Sequence, residues 1–351
     1  MSIGKRIKSA RIMAGLSQRE LAQRAGVSPM AISKYERDMD IPGSTVLLRL
    51  AQAVGVKIEY FFRSTVVTLS PPVHQRHASL PVNQEHNILE HVQEWLERYL
   101  DIENLLYRSF PSQRPLKQFI KTLDDIENVA YNLREQWQLG LDPIEDLLEI
   151  CEDHGIKIGL LDGDPAFDAL TLWANEDIPV IVLRKDMPGE RQRFCLSHEL
   201  GHLFLELSPA IDHEEAANRF ARSLLVPPSA VEFELGKHRH AISLYELYIL
   251  KHKYGLSMQA WLYRAQELNI LPTDRAKHML KQFHQHGWFQ KEPGEALPSE
   301  EPQRFQRLVM HALSEDIISR ARATELLGES IAKFIKGDVE WHGGLSFELC
   351  G

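Results

Sequence analysis

Two histidines and a glutamate in the second half of the chain have the spacing of a metal site. His198 and His202 are four residues apart, which on an α-helix places both imidazoles on one face, about one turn apart. Their ring nitrogens can bind one Zn²⁺ and leave a coordination position open beside Glu199. A carboxylate there can take a proton from a water molecule that the metal activates. The pattern predicts hydrolysis, with His198 and His202 as ligands and Glu199 as general base.

The surrounding residues predict that this motif lies on a helix within a domain core. Apolar side chains flank both histidines, Gly189 marks the expected start of the helix, and Pro209 lies just beyond its end. Cys195, one turn before the motif, is interpreted as a core residue. We expect the three strand-like segments that precede the helix to form a small sheet. An extended peptide could pair with its edge by strand addition. The segments are 156–160, 169–174 and 178–183.

A third ligand is expected from the helix that follows. Ala217, Phe220 and Leu224 form an apolar stripe at helical spacing, which would pack on the first helix and turn Glu214 toward the metal. The register of Glu214 with this stripe favours it, and His213 and Glu215 are the alternatives. If Glu214 is not a ligand, it is a solvated carboxylate near the N-terminus of its helix, where the helix dipole stabilises a negative charge.

Residues 1–63 predict a small basic helical domain that binds DNA. We expect five short helices, the second capped by Ser17 with Glu20 and the third capped by Ser28 with Pro29 in its first turn. This segment carries a net charge of +6, whereas the remaining residues carry −15. A helix-turn-helix layout on a basic segment indicates nucleic-acid binding. A helical bundle used for protein docking is the alternative.

The segment resembles the Xre/Cro/C1 family of helix-turn-helix domains. The resemblance rests on residues 15–22, 26–28 and 32–37, which read GLSQRELA, GVS and ISKYER. It implies a double-stranded DNA operator with paired half-sites, and therefore a homodimer. Side chains near the major groove would read base edges, and basic ones would contact phosphates. The expected DNA-binding residues are Gln18, Arg19, Ser28, Pro29, Met30, Ser33, Lys34 and Arg37.

A second resemblance covers roughly residues 125–230. An R-F-x-L-x-H-E-L-G-H helix followed by E-x-x-A-N-x-F-A-x-x-L-L-x-P is similar to the ImmA/IrrE family of metallo-endopeptidases. This resemblance implies an α+β, gluzincin-like domain and a Zn²⁺ cofactor. It implies His198, His202 and Glu214 as ligands and Glu199 as the catalytic base.

The chain as a whole is predicted to be a multidomain protein, mainly α-helical with a small β-sheet. Its 351 residues include no apolar run long enough to span a bilayer, and its three cysteines fit a reducing cytoplasm. We expect a helix-turn-helix domain (1–63), a linker and helical connector (64–117), a metallopeptidase domain (118–235) and a helical C-terminal region (236–351). The last region is a candidate for sensing or partner binding.

Two functions follow from these features. The first is a DNA-binding transcriptional regulator whose zinc endopeptidase domain cleaves a specific regulatory protein. The second is a transcriptional repressor or antitoxin of a toxin–antitoxin operon, whose peptidase-like domain binds a toxin partner or ligand without proteolysis. They differ in what they require of Glu199 and the metal.

Overall fold

A computed structural model describes residues 2–63, 66–73, 82–107, 114–162 and 167–328. They form two compact units, each built from separated stretches of sequence. The first unit comprises Met1–Val66, Gln93–Ser109 and Gln303–Gly351, and the second comprises Val67–Val92 and Phe110–Pro302. The expected C-terminal region (236–351) is thus distributed over both units. Among the described residues, no helix is both long and apolar enough to cross a membrane.

The described residues are mainly helical, as the sequence predicts. Their α-helices are α1 (Ile3–Met13), α2 (Gln18–Ala25), α3 (Pro29–Glu36), α4 (Ser44–Val54), α5 (Val82–Leu105), α6 (Asp125–Gln136), α7 (Leu147–Asp153), α8 (Gly189–Phe204), α9 (His213–Leu225), α10 (Pro228–Leu235), α11 (Leu244–Tyr254), α12 (Met258–Glu267), α13 (Thr273–Gln285), α14 (Arg304–Ser314) and α15 (Arg320–Leu327). Their strands are β1 (Gln118–Ile120), β2 (Lys157–Leu161), β3 (Ala169–Ala174), β4 (Ile178–Arg184) and β5 (Leu205–Leu207).

The N-terminal helices have the boundaries that their capping residues predict. The Ser17 hydroxyl accepts a hydrogen bond from the Glu20 amide, and the Glu20 carboxylate accepts one from the Ser17 amide. These two bonds complete a capping box on α2. Gly26 ends α2 in the left-handed conformation, with φ of 65°. Ser28 caps α3 ahead of Pro29. The fifth helix, Ile58–Phe62, is a 3₁₀-helix rather than an α-helix.

The rest of the first unit packs around the second half of α5. Tyr99 and Ile102 share an apolar core with α14 and α15. Arg6 of α1 forms a buried ion pair with Glu97 of α5, at 2.5 Å, in which both side chains are at most 2% exposed. Arg63 pairs with Glu94 at 2.8 Å. The helix-turn-helix domain therefore shares one folded unit with helices far away in the sequence.

The second unit contains the sheet that the sequence predicts. Its strand order is β2-β4-β3, with β2 parallel and β3 antiparallel to β4, so β3 is an edge strand. Helix α8 packs against β3, β4 and α9. A further parallel pair joins β1 with β5. Because β5 begins at Leu205, α8 ends at Phe204, earlier than the position of Pro209 indicated.

Two further features of the second unit depend on tertiary contacts. Helix α7 begins at Leu147, because Asp146 caps it and Glu300 accepts hydrogen bonds from the amides of Leu147 and Leu148. The expected linker and helical connector (64–117) also contains regular structure. Within it, residues 68–73 hydrogen-bond along β3 and α5 begins at Val82, whereas 64–65 and 74–81 lie outside the described residues.

A charged cluster joins α6, α9 and α12. Arg264, fully buried, donates to both carboxylate oxygens of Glu127 at 2.6 and 2.7 Å, and Ser223 donates to the same carboxylate at 2.6 Å. Burial alone would raise the pKa of Glu127. The hydrogen bonds and charge of Arg264, with contributions from Ser223 and Arg219, instead hold this pKa below its usual value. The cluster fixes α9, which carries Glu214.

Candidate functional site

Helix α8 presents His198 and His202 toward α9, and its apolar residues face the core. Leu196, Leu200 and Leu203 are fully buried, as the sequence pattern predicts. Between the histidines, Gly201 allows α9 to come close. A Cβ atom on Gly201 would lie 3.1 Å from Cα of Ala217, so a larger residue would push the helices apart.

The structure brings His198, His202 and Glu214 together. Nε2 of His198 lies 3.1 Å from Nε2 of His202 and 3.4 Å from Oε2 of Glu214. Nε2 of His202 lies 3.7 Å from Oε1 of Glu214. Donor atoms bound at 2.0–2.1 Å to a tetrahedral zinc ion are roughly 3.3 Å apart, which these separations match. The alternatives His213 and Glu215 are exposed.

The other ring nitrogen of His198 also has a partner. Nδ1 lies 2.9 Å from Oδ1 of Asn218, which is one turn after Glu214 on α9. An amide oxygen accepts a hydrogen bond from the N–H of Nδ1, and this tautomer leaves Nε2 with a free lone pair for a metal. Helix α9 therefore supplies a carboxylate to the cluster and also orients one of its histidines.

Glu199 is oriented by a residue of the sheet. The hydroxyl of Thr171, on β3, donates to Oε2 of Glu199 at 2.6 Å. Thr171 is 2% exposed and Glu199 is half-buried, so this hydrogen bond is partly buried. The bond fixes one carboxylate oxygen of the expected general base.

Cys195 lies beside the site, one turn before His198 on α8. Its burial, together with the nearby charge of Asp168, raises its pKa to about 12. The side chain is half-buried, packs partly against the apolar core and also lines the cavity beside the histidines, so the interpretation of Cys195 as a core residue holds only in part.

The cluster opens into a cavity of about 1110 Å³. His198, Glu199, His202 and Glu214 line one wall. Side chains of α12 and of 288–296 line another. Lys251, itself 1% exposed, holds this segment to α8 by pairing with Glu190 at 2.7 Å and with Glu292 at 3.5 Å. Residues predicted to lie in the C-terminal region therefore form part of the cavity.

The expected DNA-binding residues lie on α2, on α3 and at the two ends of α3, where Ser28 is the N-cap and Arg37 the C-cap. Those at the surface are Arg19, Ser28, Pro29, Met30, Lys34 and Arg37, and Met30 is 69% exposed. Ser33 is half-buried. The guanidinium of Arg37 donates one hydrogen bond to the Ser33 hydroxyl and another to the Ser33 carbonyl oxygen. Gln18 is half-buried too, and its amide donates to Glu36 at 2.7 Å. One side of the Gln18 amide is thus held by the domain.

The positive charge of residues 1–63 is not all at the surface. Arg6 is buried against Glu97, and Arg11 pairs with the buried Glu36 at 2.6 Å. Arg63 is also half-buried against acidic partners. Arg6 and Arg63 pair with acidic residues outside the segment, so its surface is less basic than the count of +6 indicates, whereas the charges of Arg11 and Glu36 already cancel in that count.

Comparison with known proteins agrees with both parts of this description. Residues 7–61 match the family model described as helix-turn-helix, and residues 151–266 match the IrrE N-terminal-like domain. The chain is 40% identical over 60 residues to the HTH-type transcriptional regulator ImmR of Bacillus subtilis, and the match covers 17% of this chain and 47% of ImmR. It is 32% identical over 89 residues to an HTH-type transcriptional regulator of Rickettsia conorii, covering 25% of this chain and 71% of that protein.

The chain belongs to the HTH-type transcriptional regulators. It also carries an IrrE N-terminal-like domain, so both resemblances seen in the sequence are confirmed. Multiprotein-bridging factor 1 of Candida albicans is similar as well, at 40% identity over 58 residues, which is 16% of this regulator and 38% of that factor. The regulator thus covers less than half of ImmR and of this factor.

Sequence reasoning missed two residues of the site. Thr171 is 28 positions from Glu199 and lies in an apolar strand, so no local signal connects the two. Asn218 was visible in the motif after Glu214, and its one-turn spacing from Glu214 places both on one face of α9. That spacing could have identified it as a partner of the metal ligands.

Proposed function

We propose that this regulator is a zinc-dependent endopeptidase that binds an operator and cleaves a specific regulatory protein. The observation that supports this most strongly is the convergence of His198, His202 and Glu214 next to Glu199, at the wall of a cavity. The donor set, two imidazoles and one carboxylate, is that of a hydrolytic zinc site.

His198, His202 and Glu214 would hold the ion. Their mutual distances suit tetrahedral coordination, and Asn218 favours the His198 tautomer that binds through Nε2. When bound, zinc supplies a Lewis acid that makes water a nucleophile near neutral pH and polarises a carbonyl.

The protein's own groups would carry the proton transfers. Glu199 accepts a proton from the attacking water and delivers it to the nitrogen of the leaving amine. Thr171 keeps the Glu199 carboxylate oriented for both transfers through its hydrogen bond to Oε2. The cavity gives room for a polypeptide segment against the same wall.

The metal and the base can be tested separately. We expect about one zinc per chain in the purified protein, loss of zinc in His198→Ala, and retention of zinc in Glu199→Gln. Zinc is measured by mass spectrometry of the protein after dialysis. An absence of zinc binding in the parent protein at micromolar zinc would contradict the proposed site.

Cleavage is tested by comparing protein N-termini. A cell extract is incubated with the zinc-loaded parent or with zinc-loaded Glu199→Gln, and new N-termini are labelled and identified. We expect a small set of new N-termini that appears only with the parent protein and is lost when a chelator is added. If Glu199→Gln yields the same N-termini and the same repression, the endopeptidase proposal is wrong. The repressor or antitoxin that binds a partner is then favoured.

DNA binding is proposed for the exposed face of α2 and α3. Lys34 is exposed there and suits a phosphate contact. Duplexes enriched from a random pool serve as the probe. We expect Lys34→Ala to weaken binding and to lower the slope of log K against log salt by about 0.9, one phosphate contact. Lys57→Ala, an exposed lysine outside α2 and α3, should change neither. Equal effects of the two variants on DNA binding would contradict the assignment of DNA binding to this face.

We also propose that the operator is bound by a homodimer, since helix-turn-helix domains of this kind engage paired half-sites. Sedimentation of the protein with and without duplex measures this. One chain per duplex at saturation would contradict it.

A further inference from the structure

The outer edge of β3 is covered by the protein's own chain. Residues 67–73 run antiparallel to this strand, and Leu69 bridges Ala174. The amide of Ser70 donates to the carbonyl of Trp173 at 2.8 Å, and the amide of Val73 donates to the carbonyl of Thr171 at 2.8 Å. The edge that β3 would otherwise offer to another strand is therefore occupied.

Further contacts hold this segment, which we call the 67–73 strand, in place. The amide of Asn175 donates to the carbonyl of Thr68 at 2.9 Å, and the amide of Trp173 donates to the Ser70 hydroxyl at 2.9 Å. The Thr68 amide donates to the side chain of Asn175 at 3.1 Å, and Val67 is 2% exposed. The strand is seated by backbone bonds, side-chain bonds and a buried apolar residue.

Two prolines shape the end of the 67–73 strand. Three residue steps separate Ser70 from Val73, whereas two separate their partners Trp173 and Thr171, so the pairing contains a bulge. Pro71 and Pro72 lie in that bulge and have no N–H groups. Prolines and bulges are features that prevent further strands from adding to an edge.

The covered edge lies beside the candidate catalytic base. The carbonyl oxygen of Thr171 accepts a hydrogen bond from the Val73 amide, and the hydroxyl of Thr171 donates one to Glu199. The 67–73 strand runs from the level of Ala174 toward Thr171, in the direction of Asp168 and Ala169, which line the cavity. An extended peptide that paired with β3 would need the same backbone groups of Thr171, Trp173 and Asn175.

We propose that the 67–73 strand is a built-in competitor for the peptide-binding edge, and that a substrate gains this edge only when the strand is displaced. This inference rests on the proposed endopeptidase function. A tethered segment competes at an effective concentration in the millimolar range, so a free peptide at micromolar concentration would not displace it. Release of the 67–73 strand would therefore regulate access to the site.

The test measures occupancy of the edge and not turnover. In a zinc-loaded Glu199→Gln background, Ser70→Pro with Val73→Pro removes both amide donors to β3. Leu69→Pro is the matched control, because the Leu69 amide makes none of the hydrogen bonds found among the described residues. The probe is a fluorescein-labelled synthetic peptide of residues 66–73, and fluorescence anisotropy measures its affinity for each full-length protein.

We expect the double-proline variant to bind the probe at least about tenfold more tightly than the background protein or the Leu69→Pro control, because it loses two amide donors and also the Ser70 hydroxyl that accepts from Trp173. Hydrogen exchange gives a second measurement. The amides of Trp173 and Asn175 should exchange at least about tenfold faster in the double variant. The amides of Leu172 and Ala174, which face β4, should stay protected and show that the sheet is folded.

Equal probe affinity in the double variant and the Leu69→Pro control would overturn the proposal. Fast exchange of the Trp173 and Asn175 amides in the parent protein would also overturn it, because the 67–73 strand would then not be seated. Neither measurement depends on cleavage. Failure of the endopeptidase function, seen in the comparison of N-termini, is thus distinguishable from failure of this inference.

Discussion

Oδ1 of Asn218 lies 2.9 Å from Nδ1 of His198, and Glu214 on the same helix reaches Nε2 of the same imidazole. A single helix, α9, therefore acts on both nitrogens of His198. One contact sets the tautomer and the ring orientation, and the other completes a cluster of three donors. This places the proposed metal affinity under the control of the packing between α8 and α9.

We predict that Asn218→Ala lowers zinc affinity about 10- to 100-fold, the usual effect of removing a partner that orients a ligating histidine. Asn218→Asp keeps an oxygen acceptor and should retain most of the affinity. Competition with a chromophoric chelator measures both values. Equal affinity in Asn218→Ala and the parent would show that the contact does not orient His198.

We predict that Gly201→Val impairs zinc binding while the helices persist. Even the Cβ atom of alanine would lie 3.1 Å from Cα of Ala217 and 3.3 Å from the ring of Phe220, and valine adds two methyl groups. Overpacking of this kind costs about 1–3 kcal/mol and would shift Glu214 away from the histidines. Zinc stoichiometry and circular dichroism check the two parts, and Gly201→Ala should have the smaller effect. Full zinc binding by the valine variant would contradict the prediction.

We predict that Thr171→Val lowers turnover about 10- to 100-fold without changing zinc content. The substitution removes the hydroxyl that donates to Glu199 but keeps the shape of the side chain, and hydrogen bonds to charged groups contribute about 1.5–3 kcal/mol. The substrate for this turnover assay is the protein in which the parent regulator produces new N-termini. Thr171→Ser retains the hydroxyl and should restore activity. Unimpaired turnover in Thr171→Val would exclude a positioning role.

We predict that Glu127→Gln lowers the free energy of unfolding by about 1.5–3 kcal/mol at pH 7, because the buried charge of Arg264 then keeps only its longer ion pair with Glu267, at 3.4 Å. Glu145→Gln, an exposed glutamate, is the matched control. Denaturant unfolding measures both variants. A change no larger than that of the control would contradict the prediction.

The same cluster predicts the direction of a pH dependence. The pKa of Glu127 is lower in the folded protein than its ordinary value of 4.5. Its contribution is therefore fully present above about pH 4.5 and is lost as the pH falls through the lower folded value. The stability difference between the parent and Glu127→Gln should shrink at acidic pH. A difference that grows on acidification would contradict this sign.

Local patterns predicted the fold wherever short-range interactions decide it. The caps of α2 and α3 follow from Ser17 and Ser28, because a hydroxyl next to unpaired amides stabilises a helix start wherever it occurs. Other elements depend on distant residues. Strand β1 depends on its pairing with β5, 87 residues away, and the start of α7 depends partly on Glu300.

The sequence by itself determined that His198 and His202 face one direction with Glu199 between them, because helical periodicity needs no information from elsewhere in the chain. It also indicated Glu214 through its register on the following helix. Only the tertiary structure decided that Thr171 holds Glu199, that Asn218 orients His198, and that residues 67–73 cover β3. Those relationships depend on strand register and on helix packing, which arise when distant segments bury their apolar faces against each other.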